Sequence, residues 1–370
     1  MSLRIARPQE GWSRIPKVKN QREDTSHENL CFNRRFRRCR ADGYDRVRPG
    51  GTITINSFGG AYEEAHRQCV IDPFEAETGA TVQIVTAYSA DAFAQLRAQA
   101  QAPQFDVIHF SGGQEIVGAQ EGLLDPIDPA SLSNAADLYD FAKTNLEAGE
   151  GPAYSIAAIG MIYNTENAPE APTSWTDIFD EAYADHIVLT DISNGYGMLG
   201  FLMLNQVQGG SLDDIQPGLD AVSGLLDNGA IIVSTSPEIQ QEFAQNDAWV
   251  APYASDYAFT LRNAGLPTAF VQGEEGTPAS FITANLVAGR DNDELALKFI
   301  DMQISAEAQA CFADALRYTP TNSMVELSDE VAADVVYGPD AVAGLLRFDP
   351  TVIEANRAEW VDAWNRTIAQ

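Results

Sequence analysis

From Gly51 onward, short strand-like segments alternate with helical ones, and this order constrains the fold more than any other feature of the sequence. Residues 52–56, 81–85 and 106–110 show the apolar patterns typical of strands. A helical pattern begins near Ala61 and another near Ala90. Strands that alternate with helices are typical of a parallel sheet with crossover helices. The sequence therefore predicts an α/β fold.

The rest of the chain continues this pattern. Its 370 residues are enough for two domains. A Thr-Ser-Trp-Thr-Asp run at 173–177 has a capping pattern and predicts the start of a helix. The remaining strongly patterned segments are predicted strands at 154–163, 187–191, 249–253 and 281–287, and predicted helices at 196–208, 294–312 and 352–368.

The charge is divided unevenly between the first 50 residues and the rest. Residues 1–50 contain 13 Lys and Arg against 6 Asp and Glu, whereas residues 51–370 contain 10 against 47, a net charge of −37. Because such a body repels phosphate backbones, we expect no nucleic-acid partner. Residues 1–50 lack periodicity, and we interpret them as a disordered or non-native leader; a basic nucleic-acid-binding arm is the alternative.

Six short blocks in the body carry a family resemblance. The blocks are Pro73-Phe74-Glu75-Ala76-Glu77-Thr78-Gly79, Phe105-Asp106-Val107-Ile108, Glu121-Gly122-Leu123-Leu124-Asp125-Pro126-Ile127-Asp128, Ile159-Gly160-Met161-Ile162-Tyr163-Asn164, Thr173-Ser174-Trp175-Thr176-Asp177-Ile178 and Tyr318-Thr319-Pro320-Thr321-Asn322. With these blocks in this order, residues 51–370 resemble the solute-binding proteins of ABC importers, in particular the spermidine/putrescine-binding group.

The resemblance implies a two-lobe periplasmic-binding-protein fold of type II, with a ligand cleft between lobes that are joined by chain crossings. It places lobe one at 51–153 plus 285–345 and lobe two at 154–284 plus 346–370. Such proteins bind a small-molecule solute by hinge closure and deliver it to a membrane permease. We accordingly expect a periplasmic monomer without enzymatic activity or cofactor, although no signal peptide is visible. A ligand-sensing role in signalling or chemotaxis would use the same cleft.

The resemblance also bears on the ligand. Alignment by hand puts Ile192, Gly195 and Ala284 where the polyamine-binding relatives carry acidic ligand residues. We therefore expect an amine-bearing or amino-acid-like solute rather than a polyamine, and a polyamine-specific binder is the alternative. Small residues at helix N-termini would offer backbone N–H groups to an anion, and Asp191 and Asp256 would offer carboxylates to an ammonium.

The predicted binding residues follow the strands whose carboxyl ends face the cleft, because ligands of such sheets bind there. Several have a structural alternative. Gly59-Gly60 and Gly112-Gly113 could serve only to make tight turns. Phe58 and Tyr196 could be core aromatics, and Asp191 could cap the next helix. The predicted residues are Ser57, Phe58, Tyr62, Ser111, Gly112, Gly113, Asp191, Ser193, Asn194, Gly195, Tyr196, Tyr253, Ser255 and Asp256.

The remaining reactive side chains give no chemical motif. His66, His109 and His186 are far apart in sequence without paired ligand spacing, so we expect no metal site. The sequence contains no G-x-S-x-G nucleophile elbow and no P-loop. Cys69 and Cys311 both lie on predicted helices of lobe one. They could form a disulfide in an oxidising compartment, and two buried free thiols are the alternative.

Overall fold

The computed structural model describes residues 50–147 and 150–369, so the leader proposed for residues 1–50 lies, apart from Gly50, outside the described residues. Within them, the strands are β1 Thr52–Ser57, β2 Thr81–Thr86, β3 Val107–Phe110, β4 Leu124–Asp125, β5 Ala153–Asn164, β6 Val188–Thr190, β7 Ile231–Val233, β8 Val250–Ala254, β9 Thr268–Val271, β10 Thr277–Val287, β11 Thr319–Pro320 and β12 Leu345–Leu346. The α-helices are α1 Gly60–His66, α2 Asp72–Thr78, α3 Ser89–Ala98, α4 Gln114–Gln120, α5 Asp140–Glu147, α6 Gly195–Val207, α7 Gln216–Asp227, α8 Ser236–Gln245, α9 Ser255–Asn263, α10 Asp293–Gln303, α11 Ala306–Leu316, α12 Asp329–Ala332, α13 Pro339–Ala343 and α14 Pro350–Ile368.

The first group of strands forms a sheet in the order β11-β5-β10-β3-β1-β2. The pairs β1–β2 and β1–β3 are parallel, whereas β10 runs antiparallel to β3. The predicted parallel sheet with crossover helices is thus confirmed for β1 to β3. Because these three strands point the same way, the turns that follow them emerge at one edge of the sheet.

The second group of strands repeats this arrangement. The strands β6 and β7 are parallel, and a parallel bridge between Ile187 and Val250 joins them to β8. The strands β8 and β9 pair antiparallel with the second half of β5, from Ile159 to Asn164. The carboxyl ends of β6, β7 and β8 therefore also lie together.

One long strand, β5, belongs to both groups. The first half of β5 pairs with β10 and β11, and its second half pairs with β8 and β9. The strand β10 pairs with β5 and β12 near its start and with β3 and β4 near its end. Most residues of β5 and β10 are buried, as expected for strands in the middle of a sheet.

A disulfide between Cys69 and Cys311 links the segment after α1 to α11. Cys69 is buried in the main core, and Phe312 beside Cys311 packs against Tyr62 with ring centroids 5.7 Å apart. Of the two states that the sequence left open for these cysteines, the structure contains the disulfide.

Three helical segments differ from the sequence-based prediction. The helical pattern that begins near Ala61 is not a single α-helix, because α1 passes through a π-helical turn, Arg67–Ile71, into α2. Pro73 lies in the first turn of α2, where its missing N–H group costs no helical hydrogen bond. The helix predicted at 294–312 is two helices, because Ser305 caps α11 by accepting a hydrogen bond from the Ala308 N–H. The segment after Ser174 is a short 3-10 helix, Trp175–Phe179.

Candidate functional site

A cavity of about 1000 Å3 opens where the two groups of strands present their carboxyl ends to each other. The turns after β1, β2 and β3 form one wall, and the turns after β6, β7 and β8 form the other. The first turns of α14 contribute Thr351, Glu354 and Arg357. This location is the one expected for a ligand site in an open α/β sheet.

Most of the predicted site residues line this cavity. Ser193 and Asn194 lie at the start of α6, where Asn194 Oδ1 accepts hydrogen bonds from the N–H groups of Tyr196 and Gly197 at 2.9 and 3.3 Å. The predicted residues in the cavity wall are Phe58, Tyr62, Ser111, Gly112, Gly113, Ser193, Asn194, Gly195, Tyr196, Tyr253 and Asp256.

Three predicted residues do not line it. Ser57 is fully buried, and its hydroxyl lies 3.4 Å from His66 Nδ1. Asp191 accepts hydrogen bonds from the Ser193 N–H at 2.8 Å and from the Trp364 indole N–H at 3.0 Å. Ser255 is buried at the start of α9. The alternative that Asp191 caps the next helix is also wrong, because Asn194 caps α6; the contacts of Asp191 hold the turn before that helix against Trp364.

Sequence reasoning missed several residues of the wall. Tyr88 and Ser89 follow β2 in the same way that Phe58 follows β1, so the position after a parallel strand was an available signal. Glu354 and Arg357 reach the cavity from α14, and only the tertiary fold brings them there. The other missed polar or aromatic residues of the wall are Phe93, Arg97, Gln114, Gln120, Ser236, Tyr257, Tyr318 and Thr351.

Aromatic rings dominate the wall. The ring centroids of Tyr196 and Tyr253 are 5.4 Å apart, and those of Tyr253 and Tyr257 are 5.5 Å apart, both edge to face. On the opposite wall, Phe58 stacks on Tyr88 at 6.3 Å, and Tyr88 is 69% exposed. Ring faces of this kind attract cations and cover apolar chains.

The carboxylate of Asp256 lies among these tyrosines in the first turn of α9. Its Oδ1 is shielded from solvent and has no hydrogen-bond partner among the described residues. Burial raises the pKa of Asp256 to about 7, and a hydrogen bond from the Tyr318 hydroxyl partly opposes this rise. Desolvation of this kind is relieved when a cation pairs with the carboxylate.

The other charged groups of the cavity wall are already paired. Arg97 Nη2 lies 2.5 Å from Glu121 Oε1, and Arg357 Nη2 lies 2.7 Å from Glu354 Oε1. Within the part of the chain that the structure describes, Asp256 has no ion pair within 4.0 Å. The cavity therefore presents an unpaired carboxylate surrounded by aromatic rings, an arrangement suited to an ammonium group.

Three glycines at the start of α6 have the G-x-G-x-x-G spacing of a dinucleotide fingerprint. These are Gly195, Gly197 and Gly200, and sequence reasoning missed this spacing. A Cβ at Gly197 would lie 2.4 Å from the Asp191 carbonyl oxygen, and one at Gly200 would lie 3.4 Å from Pro252. Close packing therefore accounts for Gly197, whereas a Cβ at Gly200 would make an ordinary van der Waals contact. The fingerprint also requires an acidic residue after the next strand, whereas β7 is followed by the sequence Ser-Thr-Ser.

Two of the histidines are neighbours in the fold, although their sequence spacing does not indicate it. His66 and His109 are far apart in sequence but in contact in the fold, with ring centroids 5.0 Å apart. Both are buried, and His109 Nε2 lies 3.0 Å from Gln303 Oε1. Burial lowers the pKa of His109 to about 4. Among residues 50–147 and 150–369, no three His, Cys, Asp or Glu side chains are grouped to hold a metal ion.

The fold and its cleft are those of the two-lobe binding proteins. A crystal structure of an ABC transporter protein from Clostridium perfringens superposes with a TM-score of 0.74 at 24% identity, covering 85% of this chain and 99% of that one. The family model for bacterial extracellular solute-binding proteins matches residues 70–338. The chain therefore belongs to the bacterial extracellular solute-binding protein family.

Two curated relatives have described ligands. The spermidine/putrescine-binding periplasmic protein of Escherichia coli is 26% identical over 232 residues, which cover 60% of this chain and 65% of that protein. The gamma-aminobutyric acid-binding protein of Pseudomonas aeruginosa is 23% identical over 328 residues, covering 85% of this chain and 86% of that protein. Both are similar to this chain in sequence, and their names indicate amine-bearing ligands.

Proposed function

We propose that this protein binds a small amine-bearing, amino-acid-like solute in the 1000 Å3 cavity and delivers it to the permease of an ABC importer. The observation that carries the proposal is the unpaired Asp256 carboxylate among tyrosine rings. An ammonium group there would pair with the carboxylate and contact the faces of Tyr196 and Tyr253. The names of the two curated relatives agree with this ligand class.

Binding would occur by hinge closure. Lobe one would comprise residues 51–153 and 285–345, and lobe two residues 154–284 and 346–370. The pairing of β5 with both groups of strands supports this division, as does the packing of α14 against α7. Closure would add contacts from the second wall to a solute already bound to the first. The fraction of closed molecules would therefore depend on how much more tightly the solute binds the closed state than the open state.

The polyamine alternative lacks support at the positions that the relatives use. Ile192 and Ala284 are both fully buried and apolar, and Gly195 has no side chain to offer. Of the cavity residues, Asp256 supplies an unpaired carboxylate, so a diamine would meet one strong partner in the main cavity. The proposal therefore favours solutes with a single ammonium group.

The family supports the partners and the location that we propose. Its members are extracellular solute-binding proteins rather than enzymes, and we propose a periplasmic, monomeric, non-catalytic protein. The net charge of −37 in residues 51–370 argues against nucleic acid as a partner. Among the helices described, none combines the length and hydrophobicity needed to cross a bilayer. Co-purification with a permease, as opposed to a sensor protein, would separate transport from the signalling alternative.

Calorimetric titration of butylamine, 4-aminobutyrate, putrescine, butyrate and glucose tests the ligand class. We expect the amine-bearing probes to bind and Asp256→Asn to weaken them at least ten-fold, because the charge-assisted hydrogen bond is lost. Asp191→Asn is the matched control, since it removes a carboxylate that lies outside the cavity. Binding of butyrate or glucose alone, or equal losses in the two variants, would contradict the proposal.

A further inference from the structure

A smaller cavity of about 60 Å3 lies beside the main one. The two cavities are adjacent, because five residues line both of them: Ser111, Gly112, Gly113, Gly195 and Arg357. We call this smaller cavity the annex. Its other polar or charged side chains belong to Glu115, Ser280 and Arg347.

Glu115 is a buried carboxyl group in the annex wall. The residue is 2% exposed, and its Oε2 has no hydrogen-bond partner among the described residues. Burial raises the pKa of Glu115 to about 7; Glu150 adds to this rise, whereas Arg347 and a hydrogen bond with Thr283 oppose it. At neutral pH a large fraction of this carboxyl group is protonated and able to donate a hydrogen bond.

Arg347 supplies a guanidinium group that forms no close salt bridge, and Glu150 and Asp349 lie near enough to interact with it electrostatically. It lies 5.0 Å above the ring of Phe281, and its Nη1 donates a hydrogen bond to Asn145 Oδ1 at 2.6 Å. Within the described ranges, no carboxylate oxygen lies within 4.0 Å of its guanidinium nitrogens. Arg357, by contrast, is neutralised by Glu354.

The geometry points to the annex as a carboxylate-binding subsite, in which Arg347 and Glu115 hold the acid group of the solute while Asp256 holds its ammonium group. This inference rests on the proposed function and makes it more specific. The ligand would be an amino acid whose two charged groups are separated by a carbon chain that spans the cavity. Tyrosine rings between the two ends would cover that chain.

A carboxylate suits the annex better than a second ammonium group. The guanidinium group of Arg347 lines the annex and would repel an ammonium, whereas the charge of Arg357 is neutralised by Glu354. A carboxylate would pair with Arg347 and accept a hydrogen bond from protonated Glu115. The unpaired cation in the annex and the unpaired carboxylate of Asp256 together match a zwitterion.

The test compares Arg347→Gln and Glu115→Gln with the unsubstituted protein by calorimetric titration. The probes are butylamine, butyrate and the ω-amino acids from 3-aminopropanoate to 6-aminohexanoate. We expect one chain length of amino acid to bind tightest, at least ten-fold more tightly than butylamine. Because Arg347 is exposed, solvent screening limits its contribution, and we expect Arg347→Gln to weaken that amino acid about ten-fold.

The butylamine titration separates ligand contact from a structural role. Butylamine lacks a carboxylate, so its affinity should stay within two-fold in Arg347→Gln and Glu115→Gln, whereas a general distortion of the cleft would weaken both ligands. Glu115→Gln keeps a hydrogen-bond donor and should retain most of the amino-acid affinity. Melting temperatures of both variants report whether they fold.

The outcomes distinguish this inference from the proposed function. If butylamine and the amino acids bind equally and Arg347→Gln changes neither, the annex inference is wrong while the proposed function stands. If butyrate binds through Arg347 and no amine binds, the proposed function is wrong and the annex subsite stands. If none of the probes binds, both are contradicted.

Discussion

The raised pKa of Asp256 predicts that amine binding strengthens as the pH rises from 6 to 8. Burial disfavours the ionised carboxylate, so below pH 7 the group is mostly protonated and carries no charge to pair with an ammonium. Above pH 7 it is mostly ionised. The surrounding Tyr196, Tyr253, Tyr257 and Tyr318 stay neutral over this range, because burial raises the pKa of each.

The size of the effect follows from the pKa of about 7. One pH unit below the pKa, roughly a tenth of the carboxyl groups are ionised, and one unit above it roughly nine tenths are. If only the ionised form binds the ammonium, the apparent association constant rises about ten-fold between pH 6 and pH 8. An unperturbed aspartate would already be fully ionised at pH 6, and its affinity would not change.

Butylamine is the suitable probe, because it stays protonated across this range and has no acid group to reach Glu115. Calorimetric titrations at pH 6, 7 and 8 and constant ionic strength measure the association constant. In Asp256→Asn the weak residual binding should be independent of pH. An affinity that is flat in the unsubstituted protein, or that falls as the pH rises, would refute the argument that Asp256 is the ammonium partner.

Three further predictions concern contacts seen in the fold. Tyr88→Ala should weaken amine binding three- to ten-fold, because the ring contributes a cation-binding face. Its melting temperature should stay within about 1 °C of the original, because the ring is 69% exposed. An unchanged affinity would contradict a role of Tyr88 in binding. Replacing Cys69 and Cys311 together by Ala should lower the free energy of unfolding, measured in urea, by up to about 5 kcal/mol, because the disulfide closes a loop with a sequence separation of 242. An unchanged urea midpoint would argue against a stabilising role for the disulfide. Gly197→Ala should lower the free energy of unfolding, measured by thermal unfolding, by about 1–3 kcal/mol, because its Cβ would lie 2.4 Å from a carbonyl oxygen. Gly195→Ala has open space around its Cβ and should change this free energy little. Equal losses of stability in the two variants would refute the packing argument.

Local sequence patterns were sufficient to predict the strand–helix order and the edge of the sheets where the cavity lies. The position of Tyr253 at the end of a strand, and of Asp256 at the start of the next helix, placed both correctly in the cavity wall. These inferences succeed because the direction of a parallel strand determines where the following turn emerges.

The direction of individual side chains could not be predicted in the same way. Asp191 turns away from the cavity because it accepts a hydrogen bond from Trp364, which lies 173 residues further along the chain. Arg357 reaches the binding region from the C-terminal part of the chain, and no local pattern marks it. The contact between His66 and His109 likewise arises from the packing of α1 against the sheet, which sequence spacing does not reveal.

The position of β5 in both groups of strands has a consequence for how the protein can be divided. Its first half is hydrogen-bonded to β10 and β11 and its second half to β8 and β9, so each group needs part of β5 to complete its sheet. A fragment cut between the two groups would leave unpaired strand edges, which favour aggregation. Heating should therefore give one cooperative transition, and a reporter domain is better inserted into a surface turn than fused to a separated half.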